Sequence, residues 1–170
     1  MELWDLYDEQ RRPLGKTHVR GVPLEKGTFH LVVFVWVFSE DGKVLLTKRS
    51  PEKKSFPNQW ENTGGGVLAG ETSRQAIQRE LFEETGIRAD QEEFLLIDTF
   101  HSAREGDICD IYFLRKTVPA EELVMQEGET CDARWVTRAE FEKMIEQKTV
   151  AKPDVRRYYQ LGNKLNGFFY

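Results

Sequence analysis

Glu80, Glu83 and Glu84 are the residues whose type and spacing best suit chemistry. On a helix turning about 100° per residue, positions i, i+3 and i+4 fall within an arc of roughly 100° on one face. Like charges at those spacings repel by some tenths of a kcal/mol per pair. The surrounding stretch, Thr72 to Thr85, reads as such a helix: Thr72 with Gln75 fits a capping box, and Gly86 fits the left-handed position just past the end. The carboxylates then crowd its last turn, where the negative end of the helix dipole disfavours each by about 0.3–1 kcal/mol. One account is a solvated acidic face with Arg79 as partial counter-ion. The other is a bound divalent cation, because hard cations take carboxylate oxygens. Gly64, Gly65 and Gly66 stand a short loop upstream, and such a run lets backbone approach a metal or a phosphate closely. It is no Walker loop, since no Gly-Lys-Ser/Thr follows, and it is not GxGxxG.

The elements that must position this helix are mostly strands. Leu3 to Tyr7 alternates weakly, and residues 16–28 read as a return strand and a loop. His30 to Ser39 is a buried strand rich in Val and Phe; Asp41-Gly42 turns it into a partner at Val44 to Thr47. Lys48 to Gln59 reads as a loop carrying Lys48, Arg49, Lys53 and Lys54, and ends at Trp60. Phe94 to Phe100 and Ile108 to Leu114 are strands about the turn Glu105-Gly106, and Ala133 to Val136 is another. Thr137 to Gln147 is an amphipathic helix with Phe141, Met144 and Ile145 inward, and Pro153 onward is a last helix. Strand pairs separated by helices predict an α/β fold, a mixed sheet covered by helices.

A chain of 170 residues, 39% hydrophobic and 31% charged, is expected to form one globular domain. A net charge of −5 argues against coating a nucleic-acid polymer. The start, Met1-Glu2-Leu3-Trp4-Asp5, is no signal peptide, and the longest apolar run, Leu31 to Phe38, falls short of the ~20 residues that span a bilayer. A cytoplasmic protein without membrane contact is expected. Cys109 and Cys131 lack zinc or disulfide spacing and read as two buried thiols. Composition leaves the oligomeric state open, a homodimer included.

Together, Gly65 to Ile87 resembles the Nudix box, G-x5-E-x7-R-E-U-x-E-E-x-G-U with U aliphatic: Gly65, Glu71, Arg79-Glu80-Leu81, Glu83-Glu84, Gly86 and Ile87. Pro57 and Trp60 also resemble the approach to the box. The resemblance implies the Nudix fold, a mixed β-sheet sandwiched between α-helices, over about residues 30–150, with 1–28 a strand extension and 153–170 a terminal helix of one domain. It implies Mg²⁺, or Mn²⁺, held by Glu80, Glu83 and Glu84 with the Gly65 carbonyl. It casts Arg79 as the residue orienting the glutamates and Glu71 as a support, with Glu83, Glu84, Arg79 and Glu71 as the catalytic set. The implied reaction is attack of water at phosphorus on a small-molecule diphosphate, a nucleoside diphosphate derivative being the leading class.

Outside the box, Trp4 to Asp8, Gly15 to His18 and His30 to Val32 look like the subgroup related to isopentenyl-diphosphate isomerase. His18 and His30 could match its histidines, and Glu105-Gly106-Asp107 its Glu-x-Glu segment. Its catalytic cysteine, however, is missing from Glu61-Asn62-Thr63-Gly64-Gly65, so hydrolysis is favoured over isomerisation. A non-catalytic sensor domain is the third alternative, and the intact carboxylates speak against it. Arg49 is the best phosphate-gripping candidate, since a guanidinium holds phosphate bidentately; His30 is a second substrate contact. Glu105, Glu127 and Glu129 are loop candidates for a general base. His101 reads as structural or surface. Phe34, Trp36, Phe56 and Trp60 could stack a base but read first as core.

Overall fold

The computed structural model describes residues 2–170. In chain order its elements are β1 (Leu3–Tyr7), β2 (Pro13–Val19), β3 (His30–Phe38), β4 (Val44–Arg49), β5 (Trp60–Glu61), β6 (Gly64–Gly66), α1 (Ser73–Thr85), β7 (Leu95–Ser102), β8 (Asp107–Arg115), β9 (Thr130–Val136), α2 (Arg138–Glu146) and α3 (Lys152–Leu161). β1 and β2 form a separate antiparallel hairpin. The other strands form one sheet in the order β5-β4-β3-β8-β7, with β6 paired to β3 and β9 to β4. β3 and β8 run parallel from His30↔Asp107 to Phe38↔Arg115, and the remaining pairs are antiparallel, so the sheet is mixed.

Alternation along β3 explains the layering. Val33, Val35 and Val37 face one core, shared with Ala76, Ile77 and Leu81 of α1. Trp36 and Phe38 face the other, with Phe141 and Met144 of α2 and Tyr158 and Leu161 of α3. The sheet is thus sandwiched between α1 on one face and α2 with α3 on the other. Each fully buried Ile, Leu or Phe contributes roughly 1.5–3 kcal/mol to holding these layers. Among the described residues no helix is long and apolar enough to cross a membrane.

Several elements differ from the sequence reading. β4 continues through Lys48 and Arg49, which lie on a strand because Trp60 and Thr130 pair with them. β2 starts at Pro13, and residues 20–28 follow it without a strand. β7 runs on to Ser102 and takes in His101, which is exposed. α3 stops at Leu161, where a short 3-10 turn, Gly162–Leu165, follows. Cys109 is buried as expected, but Cys131 is exposed, because β9 is held by β4 along one side and turns this thiol outward.

His30 opens β3 and lies flat against Trp4 of β1, with ring centroids 3.9 Å apart and planes at 6°. Burial lowers its pKa from the ordinary 6.5 to about 4. Between these values the unfolded chain takes the proton and the folded one does not, so stability falls as pH drops from 6.5 towards 4. His30→Phe keeps a stacked ring without the titration. In denaturant melts, the variant is expected to gain on the parent as pH falls through that window, by roughly 1–3 kcal/mol near pH 4. Parallel pH profiles would remove His30 as the cause.

Candidate active site

β6 is a strand made of glycine. The Cα positions leave no room for side chains: a Cβ on Gly64 would sit 2.2 Å from the Val33 carbonyl oxygen, and one on Gly65 2.3 Å from Glu80 Oε1. A Cβ on Gly66 would meet Trp4 Nε1 at 2.8 Å. Gly65 therefore lets the Glu80 carboxylate lie against the strand backbone. From β6 the chain loops to Thr72, whose side chain caps α1 in a full capping box with Gln75; Gly86 ends the helix at φ 73°.

Arg79 joins the loop to the helix. Its Nε and Nη2 donate to the two oxygens of Glu71 at 2.8 and 2.9 Å, and Nη2 also donates to the Gly66 carbonyl at 3.1 Å. Its Nη1 donates to Glu80 at 2.8 Å and to Glu83 at 3.2 Å. Glu71 in turn accepts from the Leu68 backbone N–H at 3.0 Å, and the Arg79 guanidinium holds its carboxyl below the ordinary range. Glu71 and Arg79 are thus bonded to each other, and Arg79 to Glu80 and Glu83.

The carboxylates are graded by depth. The Glu83 side chain is 41% exposed and that of Glu80 14%. Glu84 is buried. Burial raises the Glu80 pKa although Arg79 opposes it. Burial raises Glu84 well above the ordinary value, and the charges of Glu61 and Glu80 push the same way. The Glu84 Oε2 atom is buried without a hydrogen-bond partner. The sequence leads one to expect all three carboxylates on a single point. Instead Glu80 and Glu83 share Arg79, and Glu84 faces Glu80 and Glu61. Among the described residues no three Asp, Glu, His or Cys side chains stand grouped as a ready metal-ligand set.

Glu61 is a site residue that the sequence reading missed. It sits on β5 with its pKa raised to about 7, first by burial and then by the charge of Asp154. Arg49 Nη1 donates to both its oxygens at 2.7 Å, and Arg49 Nε donates to the Ser55 carbonyl at 2.9 Å. The arginine expected on a free loop is thus fixed at the edge of the carboxylate cluster. Asp154 and Arg157 of α3 form a buried pair at 2.9 Å, and Asp154 accepts from the Asn62 backbone N–H at 3.0 Å. Acid and base at i, i+3 are common on solvated helix faces, so nothing local marks this pair as buried; for Glu61, the signal was a lone charge between Trp60 and a glycine run.

The other candidates scatter. Glu129, paired with Lys53, lies near enough to Glu84 to raise its pKa. Glu127 is exposed, and Glu105 pairs with Arg156 at 3.1 Å. His18 contacts the Val22 carbonyl at 2.9 Å, and His30 lies under Trp4. Trp36 and Trp60 belong to the core, and Phe34 and Phe56 are partly buried.

These residues fit a divalent cation. The donors are carboxylate oxygens, which hard cations take; one of them, on Glu84, is buried and unpartnered, and Gly65 keeps backbone within reach of Glu80. A mixed sheet between helices with a glycine strand feeding an acidic helix defines a NUDIX domain, and that family's pattern matches residues 28–160. The chain belongs to the Nudix hydrolase family. An uncharacterized Nudix hydrolase of Listeria monocytogenes is 41% identical over 145 residues, 85% of each chain. An isopentenyl-diphosphate Delta-isomerase of Paenarthrobacter aurescens is 31% identical over 145 residues, 81% of this chain and 77% of that one. A crystal structure from Deinococcus radiodurans shares the fold at a TM-score of 0.76 and 23% identity, covering 99% of this chain and 100% of its own.

Glu84→Gln removes a buried charge while keeping its size. In chelator the variant is expected to melt at or above the parent, by up to about 1 kcal/mol. With Mg²⁺ the order should invert, because a cation bound only to the folded state stabilises it by mass action. A variant that loses stability in chelator and still gains from Mg²⁺ like the parent would make Glu84 a structural residue.

Proposed function

We propose that this protein is a Mg²⁺-dependent hydrolase that cleaves a diphosphate linkage in a nucleoside diphosphate derivative or a related small molecule, by attack of water at phosphorus. The observation that carries the reading is the unpartnered buried oxygen of Glu84 beside Glu80 and the Gly65 strand. Glu80, Glu83, Glu84 and the Gly65 carbonyl would hold the cation, with Mn²⁺ as an alternative to Mg²⁺. Such an ion neutralises phosphate oxygens and lowers the pKa of bound water. Arg79 keeps Glu80 and Glu83 oriented from one side, and Glu71 braces Arg79 against the loop. Arg49, at the rim of the cluster, would have to exchange its pairing with Glu61 for phosphate oxygens to serve as the proposed substrate contact. His30, stacked on Trp4 over Gly66, borders the same loop as the second proposed substrate contact.

The likeness to an isomerase favours a second reading, proton transfer at carbon. Such chemistry needs an acid/base group beside the loop. The run leading into Gly64 carries Glu61, held by Arg49, then buried Asn62 and Thr63, and no thiol; burial pushes the remote Cys109 thiol up to about 12. Hydrolysis is the better supported reaction.

A turnover screen with Mg²⁺ tests this, run over nucleoside di- and triphosphates, nucleotide sugars, dinucleoside polyphosphates and isopentenyl diphosphate. In ¹⁸O-water the label is expected in a phosphate product. Glu83→Gln and Glu84→Gln should each lower turnover at least ~100-fold if the carboxylates act through the transition state. Isomerisation of isopentenyl diphosphate with no diphosphate cleaved, or full turnover by both variants, would overturn the reading.

A further inference from the structure

Asp110 interrupts an apolar stripe. Along β8, Ile108, Tyr112 and Leu114 face the core shared with α1, and Asp110 lies among them, 1% exposed. A carboxylate so placed needs its oxygens bonded. Its Oδ1 accepts from Arg11 Nη1 at 2.6 Å and from Thr99 Oγ1 at 2.8 Å. Its Oδ2 accepts from Arg11 Nη2 at 2.6 Å and from Ser73 Oγ at 2.5 Å. Burial opposes the charge and these bonds outweigh it, so the carboxyl stays below its ordinary pKa. One side chain thereby joins the tip of the β1–β2 hairpin, the edge strand β7 and the first residue of α1.

The hairpin tip is shaped for this reach. Arg11 sits between β1 and β2 at φ 60°, a left-handed conformation that suits glycine or asparagine and is unfavourable for a long side chain. The Asp8 side chain forms the turn by accepting from the Gln10 and Arg12 amides, each at 2.9 Å. The turn itself therefore gives no reason for arginine at position 11. The reason lies at the far end of the side chain, where the guanidinium fork meets both oxygens of a carboxylate 99 residues away.

The hairpin in turn holds the segment that feeds the acidic helix. Every backbone N–H from Val67 to Thr72 has an acceptor. Two of these acceptors belong to β1: Ala69 donates to the Leu3 carbonyl at 2.8 Å, and Gly70 to Asp5 Oδ2 at 2.8 Å. The Leu68 amide donates to Glu71 Oε2 at 3.0 Å. Past Val67 no residue of this segment is buried, so hydrogen bonds rather than packing set its path. Glu71 leads directly to Arg79, and Arg79 to Glu80 and Glu83.

We propose that Asp110 is a positioning residue for the acidic turn. By gripping Arg11 and Ser73 at once, it clamps the hairpin across the loop from Val67 to Thr72, and so fixes Glu71 and, through it, Arg79. The clamp rests on hydrogen bonds alone; its consequence for a bound cation rests on the hydrolase reading.

Hydrogen exchange and Mg²⁺ titration of the full chain test this on the parent and on Arg11→Gly. Glycine eases the left-handed turn and removes the grip, so a residue that served only the turn would be replaced without loss. The clamp predicts instead that the Leu68, Ala69 and Gly70 amides exchange at least ~10-fold faster, at a temperature where both proteins are folded. It also predicts that half-maximal thermal stabilisation needs at least ~3-fold more Mg²⁺. Arg11→Lys, which keeps the charge without the fork, should fall between parent and glycine variant in both measurements. Should Arg11→Gly not fold, the comparison of Arg11→Lys with the parent decides. Parental exchange at these amides would overturn the proposal. Faster exchange with a parental Mg²⁺ response would overturn it too, leaving Asp110 as a support of the fold. A parent whose melting ignores Mg²⁺ would sink the metal reading instead, and the clamp would then stand or fall on the Leu68 amide, the one that Glu71 holds.

Discussion

Three carboxylates within one turn repel one another and the helix end they stand on, and the Arg79 guanidinium is what makes that crowding tolerable. It touches Glu80, Glu83, Glu71 and the Gly66 carbonyl, so it ties the helix to the loop and to β6 together. The dependence spreads outward from there. Glu71 can brace Arg79 because it also accepts from Leu68, which fixes the loop. The loop is held from outside by the N-terminal hairpin, where Ala69 donates to the Leu3 carbonyl at 2.8 Å and Gly70 to Asp5 at 2.8 Å. A hairpin that pairs with no strand of the main sheet therefore still belongs to the geometry of the acidic turn.

Arg79 serves the outer two carboxylates; the inner side of the cluster is balanced by a different set. Glu61 is met by Arg49, and Asp154 by Arg157. Removing one member of a buried pair strands the other, typically at about 3–5 kcal/mol, so these groups constrain each other. Through the Asn62 backbone, Asp154 also pins the segment between β5 and β6 to α3. The last helix of the chain thereby sets where the glycine strand lies, although it is far from it in sequence.

That distinction explains what could be read from the residues alone. The limits of α1 were legible because Thr72, Gln75 and Gly86 act within one turn of themselves. β3 was legible because Val and Phe alternate between two cores. β6 was not, since three glycines have no side-chain period and become a strand only by pairing with Val32, Val33 and Phe34. Arg49 looked like part of a loop because its strand character comes from Gln59, Trp60 and Thr130 on other segments. The acidic turn announced itself by breaking local electrostatic rules. Glu61, Asp154 and Arg157 break none locally; their burial is a property of the assembled layers.

The gradation among the carboxylates follows from the same geometry. Glu83 is open to solvent, which screens its charge, and Glu80 has Arg79. Glu84 has neither. It faces Glu61 and Glu80, and one of its oxygens is unpartnered in a buried setting. A buried carboxylate without a partner costs several kcal/mol or gives up its charge by taking a proton. An apolar residue at 84 would pack beside Thr85 and Leu81 without that cost. A cation that also reached Glu80 would offset the cost of a charge at Glu84, whose pKa is raised by burial and by the charges of Glu61 and Glu80.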